Sequence, residues 1–244
     1  AVSSTDIVCC NDYAGGYLAG QELCRLGHRR FLYVPGPEKN GSQIQRDCGF
    51  RAALAEHGFG ADCIRTITSV EKLPISADCS EILKLLSPID YTGIFVFHDQ
   101  AAYVILNTLR SAGYRVPEDI SVIGFDHLRQ GLPYLPPLSS IACSSSMDIA
   151  HAAVHALQMR IKNPAIPFQR IILDVAFYSD GTAGPVPHIA ETKTGRLSNT
   201  LGYRTKVCSA HAHGFTQLSQ STLLPRRMHI AKQLHTSCIR AHPD

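Results

Sequence analysis

Long apolar runs are missing from this 244-residue chain. The strongest, Ile94-Phe95-Val96-Phe97, falls far short of the roughly twenty residues that a membrane helix needs. Ala1 to Asp6 holds no basic stretch leading into an apolar core, the mark of a secretory signal. No initiator Met is present either, so we expect a cytoplasmic protein whose chain starts inside a longer one. The nine cysteines show no repeated short spacing, and the adjacent pair Cys9-Cys10 is a poor clip for zinc. Most are expected to be reduced, buried small residues. Gly15-Gly16 lacks the spacing of a phosphate-binding loop. Ser144-Ser145-Ser146 and the scattered Ser/His pairs lack the turn that exposes a nucleophile. These absences argue against a membrane protein, a nucleotide-loop protein and a hydrolase. Neither a catalytic site nor a cofactor is expected.

What is present reads as a globular α/β chain. Hydrophobic residues make up 45% and charged residues 18%. Asp6 to Cys10 is an apolar run ending at the turn or cap pair Asn11-Asp12. Tyr13 to Leu26 has helical spacing and stops at Gly27. Residues 30–34 read as a buried strand closed by Pro35-Gly36-Pro37. Helices are expected over 43–57, 80–86, 101–112 and 147–161. Strands are expected over 92–97 and 120–125, with a last one within 170–178. Strands alternating with helices across short loops predict a doubly wound parallel sheet. Ligands bind such sheets at the carboxyl ends of the strands. Attention therefore falls on Asn11-Asp12, residues 35–46, His98-Asp99-Gln100 and Asp126-His127.

Five segments, in order, resemble the effector-binding core of the LacI/GalR repressors. Asn11-Asp12-Tyr13-Ala14-Gly15-Gly16-Tyr17-Leu18-Ala19, followed by Leu26-Gly27-His28-Arg29-Arg30, is similar to the family's D-N-x-x-G-x-x-x-A helix and its ending. Arg46-Asp47-Cys48-Gly49-Phe50-Arg51-Ala52-Ala53-Leu54 matches R-x-x-G-F-x-x-A-L. Residues 94–102 look like the family's A-x-x-x-x-N-D-x-x-A strand end, with His98 in place of the usual Asn. Residues 113–126, Gly-Tyr-Arg-Val-Pro-Glu-Asp-Ile-Ser-Val-Ile-Gly-Phe-Asp, are the most specific match. Pro136-Pro137-Leu138-Ser139-Ser140-Ile141 resembles P-P-L-T-T-I.

The resemblance implies a periplasmic-binding-protein type I fold, in which two α/β subdomains close on a ligand. It implies that residues 1–10 end the first subdomain and that 13–125 form most of the second. Residues 127–160 would return to the first, and the strand near 171–178 would cross back. It also implies an N-terminal helix-turn-helix, absent from this chain, through which a homodimer would meet operator DNA. Helix 101–112 resembles the family's dimer face.

The site residues come partly from this resemblance and partly from side-chain chemistry. Arg46 offers a rigid fork of donors suited to vicinal oxygens; the bland alternative is a surface residue of a first helical turn. Asp99 follows a strand, where an ionised carboxylate accepts from two sugar hydroxyls; it could instead only cap the next helix. Asp126 ends the strand of residues 120–125, with a ligand or a hinge role. Ser42, one turn before Arg46, is a plausible hydroxyl partner or an ordinary loop serine. Asn11 and Asp12 read as structural; Phe97 and Phe125 could stack on a sugar face, but aromatic residues at strand ends are more often core.

Charge divides the chain. Residues 1–185 hold 15 Lys+Arg against 18 Asp+Glu, and residues 186–244 hold 8 against 2. The basic second part also carries six of the twelve histidines. It is expected to be a disordered or poorly packed tail. Its Cys208, His211 and His213 are not expected to form a built metal site. The expected function is sensing of a sugar or related small effector by a transcriptional regulator. A periplasmic sugar receptor and a regulator with another kind of DNA-binding module are the alternatives.

Overall fold

A computed structural model describes residues 5–37, 40–67, 78–130, 132–143 and 146–186. Eight strands and five helices run through them: β1 (Ile7–Cys10), α1 (Asp12–Arg25), β2 (Phe31–Val34), α2 (Gly41–Glu56), β3 (Ile64–Thr66), α3 (Cys79–Leu86), β4 (Gly93–Val96), α4 (Asp99–Ser111), β5 (Ser121–Phe125), β6 (Ser140–Cys143), α5 (Ser146–Lys162), β7 (Arg170–Leu173) and β8 (Val175–Tyr178). Local chemistry accounts for the helix ends. The Asn11 and Asn40 side chains accept from Ala14 and Gln43 amides at 3.1 and 2.9 Å. Gly27, Gly58 and Gly113 follow the ends of α1, α2 and α4 with positive φ, a conformation that costs glycine little.

Six strands form one sheet in the order β3-β2-β4-β5-β6-β8, parallel except for the antiparallel pair β6–β8. The central strands β2, β4 and β5 are buried on both faces, as parallel strands between helical layers are. Their alternation sorts residues into two cores. Leu32, Val34, Ile94, Val96 and Val122 pack with Leu86, Ile105 and Leu109 of α3 and α4. Phe31, Tyr33, Phe95, Ile123 and Phe125 pack with Leu23, Phe50 and Leu54 of α1 and α2. The sheet is thus wound on both sides, as the sequence predicted. Strands β1 and β7 pair in a separate two-stranded parallel sheet, against which α5 rests.

Three expectations need correction. The single strand expected within 170–178 breaks at Asp174, and its halves enter different sheets. The return to the first sheet was expected from residue 127. It falls later, because β6 stays in the large sheet beside β5, and only α5 leaves it. Finally, most described cysteines are free as expected, but Cys9, Cys24, Cys63 and Cys79 are only half-buried and Cys48 is exposed, and Cys10 and Cys143 are joined in a disulfide. The small strands β3 and β6 were not anticipated. The tail lies outside the described residues from 187 onward. No described helix is long and apolar enough to cross a membrane.

Candidate functional site

Helices α1 and α2 touch through glycine. A Cβ on Gly16 would overlap the Arg46 carbonyl group, and one on Gly49 would overlap the Tyr13 carbonyl. The close crossing brings the first turn of α1 against the middle of α2 and carries Arg46 to the carboxyl ends of β4 and β5. There its guanidinium is almost fully enclosed, with 10% of the side chain exposed. Nε donates to Asp12 Oδ1 at 2.8 Å, and one Nη donates to the Phe97 carbonyl at 2.5 Å. The planar head lies 3.4 Å from the Phe125 ring centroid and 4.6 Å from that of Phe97, a cation–π arrangement.

Asp126 faces the remaining Nη2 at 3.8 Å, beyond hydrogen-bond length. Although 44% of its side chain meets solvent, crowding desolvates the carboxyl and raises its pKa; Arg46 and His98 oppose that rise. A ligand oxygen in this gap could accept from the guanidinium while a neighbouring hydroxyl donates to the carboxylate. Charge of both signs at this spacing suits a vicinal diol.

The turn that carries Asp126 is strained. Asp126 and His127 have φ of 100° and 46°, a region uncommon for non-glycine residues and recurrent at ligand clamps and active sites. Three successive amides pin it. Asp126 N–H donates to Ile141 O at 2.7 Å, His127 N–H to Ser140 Oγ at 3.0 Å and Leu128 N–H to Asp99 Oδ2 at 2.8 Å. Ser140 Oγ in turn donates to Asp99 Oδ1 at 2.7 Å.

Asp99 therefore stands differently from what the sequence suggested. It is 1% exposed, and both of its oxygens are engaged inside the protein. Burial is the main reason its pKa rises to about 7. It does not cap α4 either. That role belongs to His98, whose Nδ1 accepts from the Ala101 amide at 3.1 Å. Gly124 makes room for the Asp99 carboxylate, which a Cβ there would overlap. Arg46 and Asp126 come together, whereas the carboxylate expected to share a hollow with Arg46 was that of Asp99. Ser42 sits half-buried in the first turn of α2, on the face of Arg46. Asp12, Phe97 and His98 are additions to the site. Asp12 was read as a structural residue and Phe97 mainly as core; what they hold follows from the tertiary contacts around Arg46.

A second feature lies elsewhere. A cavity of about 290 Å³ opens near the amino ends of β2, β3 and β4, lined by Arg30, Asp62, Arg65, Asp90 and Tyr91 among others. Arg65 is occupied there, donating to the carbonyls of Leu85, Leu86, Ser87 and Pro88. Doubly wound sheets bind ligands at the opposite, carboxyl end, so Arg46 and Asp126 mark the better candidate. Among the described residues no three His, Cys, Asp or Glu side chains gather as a metal site. Cys208, His211 and His213 lie outside those residues.

Residues 21–177 match the family of periplasmic binding protein-like domains. A transcriptional regulator of the helix-turn-helix type, DegA of Bacillus subtilis, is 33% identical over 137 residues, which are 56% of this chain and 40% of that one. The ribose operon repressor of Haemophilus influenzae is 28% identical over 172 residues, 70% of this chain and 51% of its own. The chain thus spans about half the length of the curated relatives it matches. Among solved structures, a LacI family regulator of Enterococcus faecium with bound ribose superposes with a TM-score of 0.66 at 27% identity. That match covers 74% of this chain and 66% of the other.

Proposed function

The chain belongs to the family of periplasmic binding protein-like domains, in the branch of the LacI-type regulators, and from that premise we propose that it is the effector-sensing core of a cytoplasmic transcriptional regulator. The effector is a small polyhydroxylated molecule of pentose or hexose size. Arg46 and Asp126 grip neighbouring hydroxyls, with Phe97 and His98 beside them and Ser42 at the rim. Asp12 holds Arg46 in place, and Asp99 holds the turn that presents Asp126. The observation that carries this reading is the buried, ring-stacked guanidinium facing a carboxylate on a strained turn. Two of the relatives named above support the ligand class: a ribose operon repressor and a ribose-bound regulator.

The response would follow from population shift. An effector that binds the closed arrangement of two subdomains better than the open one moves the equilibrium toward closure. In a homodimer carrying helix-turn-helix heads, that movement would change operator affinity. Sensing without catalysis fits the regulatory role of the relatives.

A thermal-shift screen of pentoses, hexoses and nucleobases tests the reading. A ligand at a hundred times its Kd stabilises the folded state by about 2.7 kcal/mol. The expected result is a sugar-dependent rise in Tm that is lost in both Arg46→Ala and Asp126→Ala. An undiminished rise in both variants would refute the assigned pocket.

A further inference from the structure

We propose that Cys10 and Cys143 form a reversible redox clasp across the junction between the two sheets, a site of exchange with low-molecular-weight disulfides such as oxidised glutathione. The consequence for effector response rests on the function proposed above; the clasp itself does not.

The argument starts from topology. The backbone passes between the two sheets three times: from β1 into α1, from β6 into α5, and from β7 into β8. Cys10 is the last residue of β1, in the small sheet, and Cys143 is the last of β6, in the large one. The two cysteines are 133 residues apart in sequence, yet their Cα atoms lie 6.1 Å apart, within the usual span of a disulfide. The third crossing runs directly beside them. Cys10 is in register with Leu173 and Cys143 with Val175, leaving only Asp174 between. Asn11 N–H also donates to Leu173 O at 2.8 Å. The bond therefore ties together the ends of all three crossings.

Accessibility gives the order of attack. Cys10 is half-buried and Cys143 is 3% exposed. The Cys10 thiolate attacks one sulfur of oxidised glutathione and expels one glutathione thiolate. The Cys143 thiolate then attacks the Cys10 sulfur of the mixed disulfide and expels the second. Two protein thiols become one disulfide, and one oxidised glutathione becomes two reduced ones. Cys9 precedes Cys10 in the same strand, so its side chain points to the opposite face and does not compete for Cys143. In a reducing cytoplasm a bond of this kind serves sensing more often than architecture.

The clasp also adjoins the binding machinery. Asn11, next to Cys10, caps α1, and Asp12 holds Arg46. Oxidation would limit movement of one sheet against the other, and cleft closure depends on that movement.

The test uses the full 244-residue chain, equilibrated in glutathione buffers from wholly reduced to wholly oxidised, then trapped by alkylation and mapped as non-reduced peptides. A Cys10–Cys143 peptide that appears and disappears reversibly, with loss of those two thiols from alkylation, is expected. Hydrogen exchange in peptides covering 7–12 and 170–178 should slow on oxidation of the parent and stay unchanged in Cys10→Ser. The reduced parent is itself a control should that variant fold poorly. Absence of the link at every ratio, or Cys143 bonded to Cys9 instead, would overturn the proposal. A link that survives excess reduced glutathione in the folded protein would overturn it too, by making the bond permanent. None of these readouts needs an effector. Failure of the sugar screen with a working clasp would therefore count against the proposed function alone.

Discussion

Replacing Asp99 with Asn distinguishes an organising carboxylate from one that touches ligand. In the fold this carboxyl is 1% exposed, with burial raising its pKa to about 7; in the unfolded chain it ionises near 3.8. Because the folded pKa is the higher one, the fold favours the protonated form. That contribution is complete below the unfolded value and is lost as pH rises through 7. Once Asp99 is ionised in both states, the fold is weaker by about 4 kcal/mol than at acid pH, on the scale of 1.36 kcal/mol per decade. About 2.7 kcal/mol of that loss falls between pH 5 and pH 8, the rest below pH 5; for a domain of this size each kcal/mol moves Tm by about 2–4 °C, so this one group accounts for a fall of roughly 5–10 °C across that window. Asn stays neutral. It can accept from Leu128 N–H and donate to Ser140 Oγ, at a cost of about 1 kcal/mol for one mismatched hydroxyl. Tm measured for both proteins from pH 5 to pH 8 should show near-equality at the acid end and an advantage of several degrees for Asp99→Asn at the alkaline end. The Tm rise caused by effector should survive in the variant, since Arg46 and Asp126 remain. A Tm difference that does not vary with pH would refute the buried, ionisation-penalised carboxyl. Loss of the effector response with a normal fold would return Asp99 to the pocket.

Gly49→Ala should lower Tm by roughly 5–10 °C. Its Cβ would overlap the Tyr13 carbonyl and lie 2.8 Å from the Tyr17 amide, and overpacking of this kind costs about 1–3 kcal/mol. Gly41→Ala, with nothing within 4 Å, is the control and should leave Tm unchanged or higher. His28 gives the opposite pH signature to Asp99. Burial pushes its pKa down to about 4 while its ring bonds Thr92 Oγ1 and Gly184 O, so stability is present above about 6.5 and is lost as pH falls toward 4. His28→Gln should flatten that acid limb in the same Tm series. Arg46→Lys removes the fork that reaches Asp12 and Phe97 O together. Calorimetry should show effector affinity reduced about 10- to 100-fold, the worth of one or two charged hydrogen bonds.

The helices were legible because their ends are written locally. Asn11 and Asn40 supply caps, Gly27 and Gly113 supply the exit, and apolar residues recur between them. The strands β2, β4 and β5 were legible because burial on both faces leaves continuous apolar runs. β6 was not, because its Ser140 is polar and becomes acceptable in the core only through Asp99 and the His127 amide. The break at Asp174 was equally hidden, since the residues on both sides of it favour strands. The resemblance pointed to Arg46 and Asp126, but no spacing rule could bring those two side chains together or reveal the positive φ beneath Asp126. Position after a strand suggested that Asp99 faces outward; packing turned it inward. Secondary structure and the two-sided winding are thus properties of neighbouring residues, and this chain encodes them in short segments. The enclosure of the guanidinium, the buried carboxyl and the Cys10–Cys143 bond depend on segments distant in sequence meeting at the strand ends, and only the tertiary structure decides which of them meet.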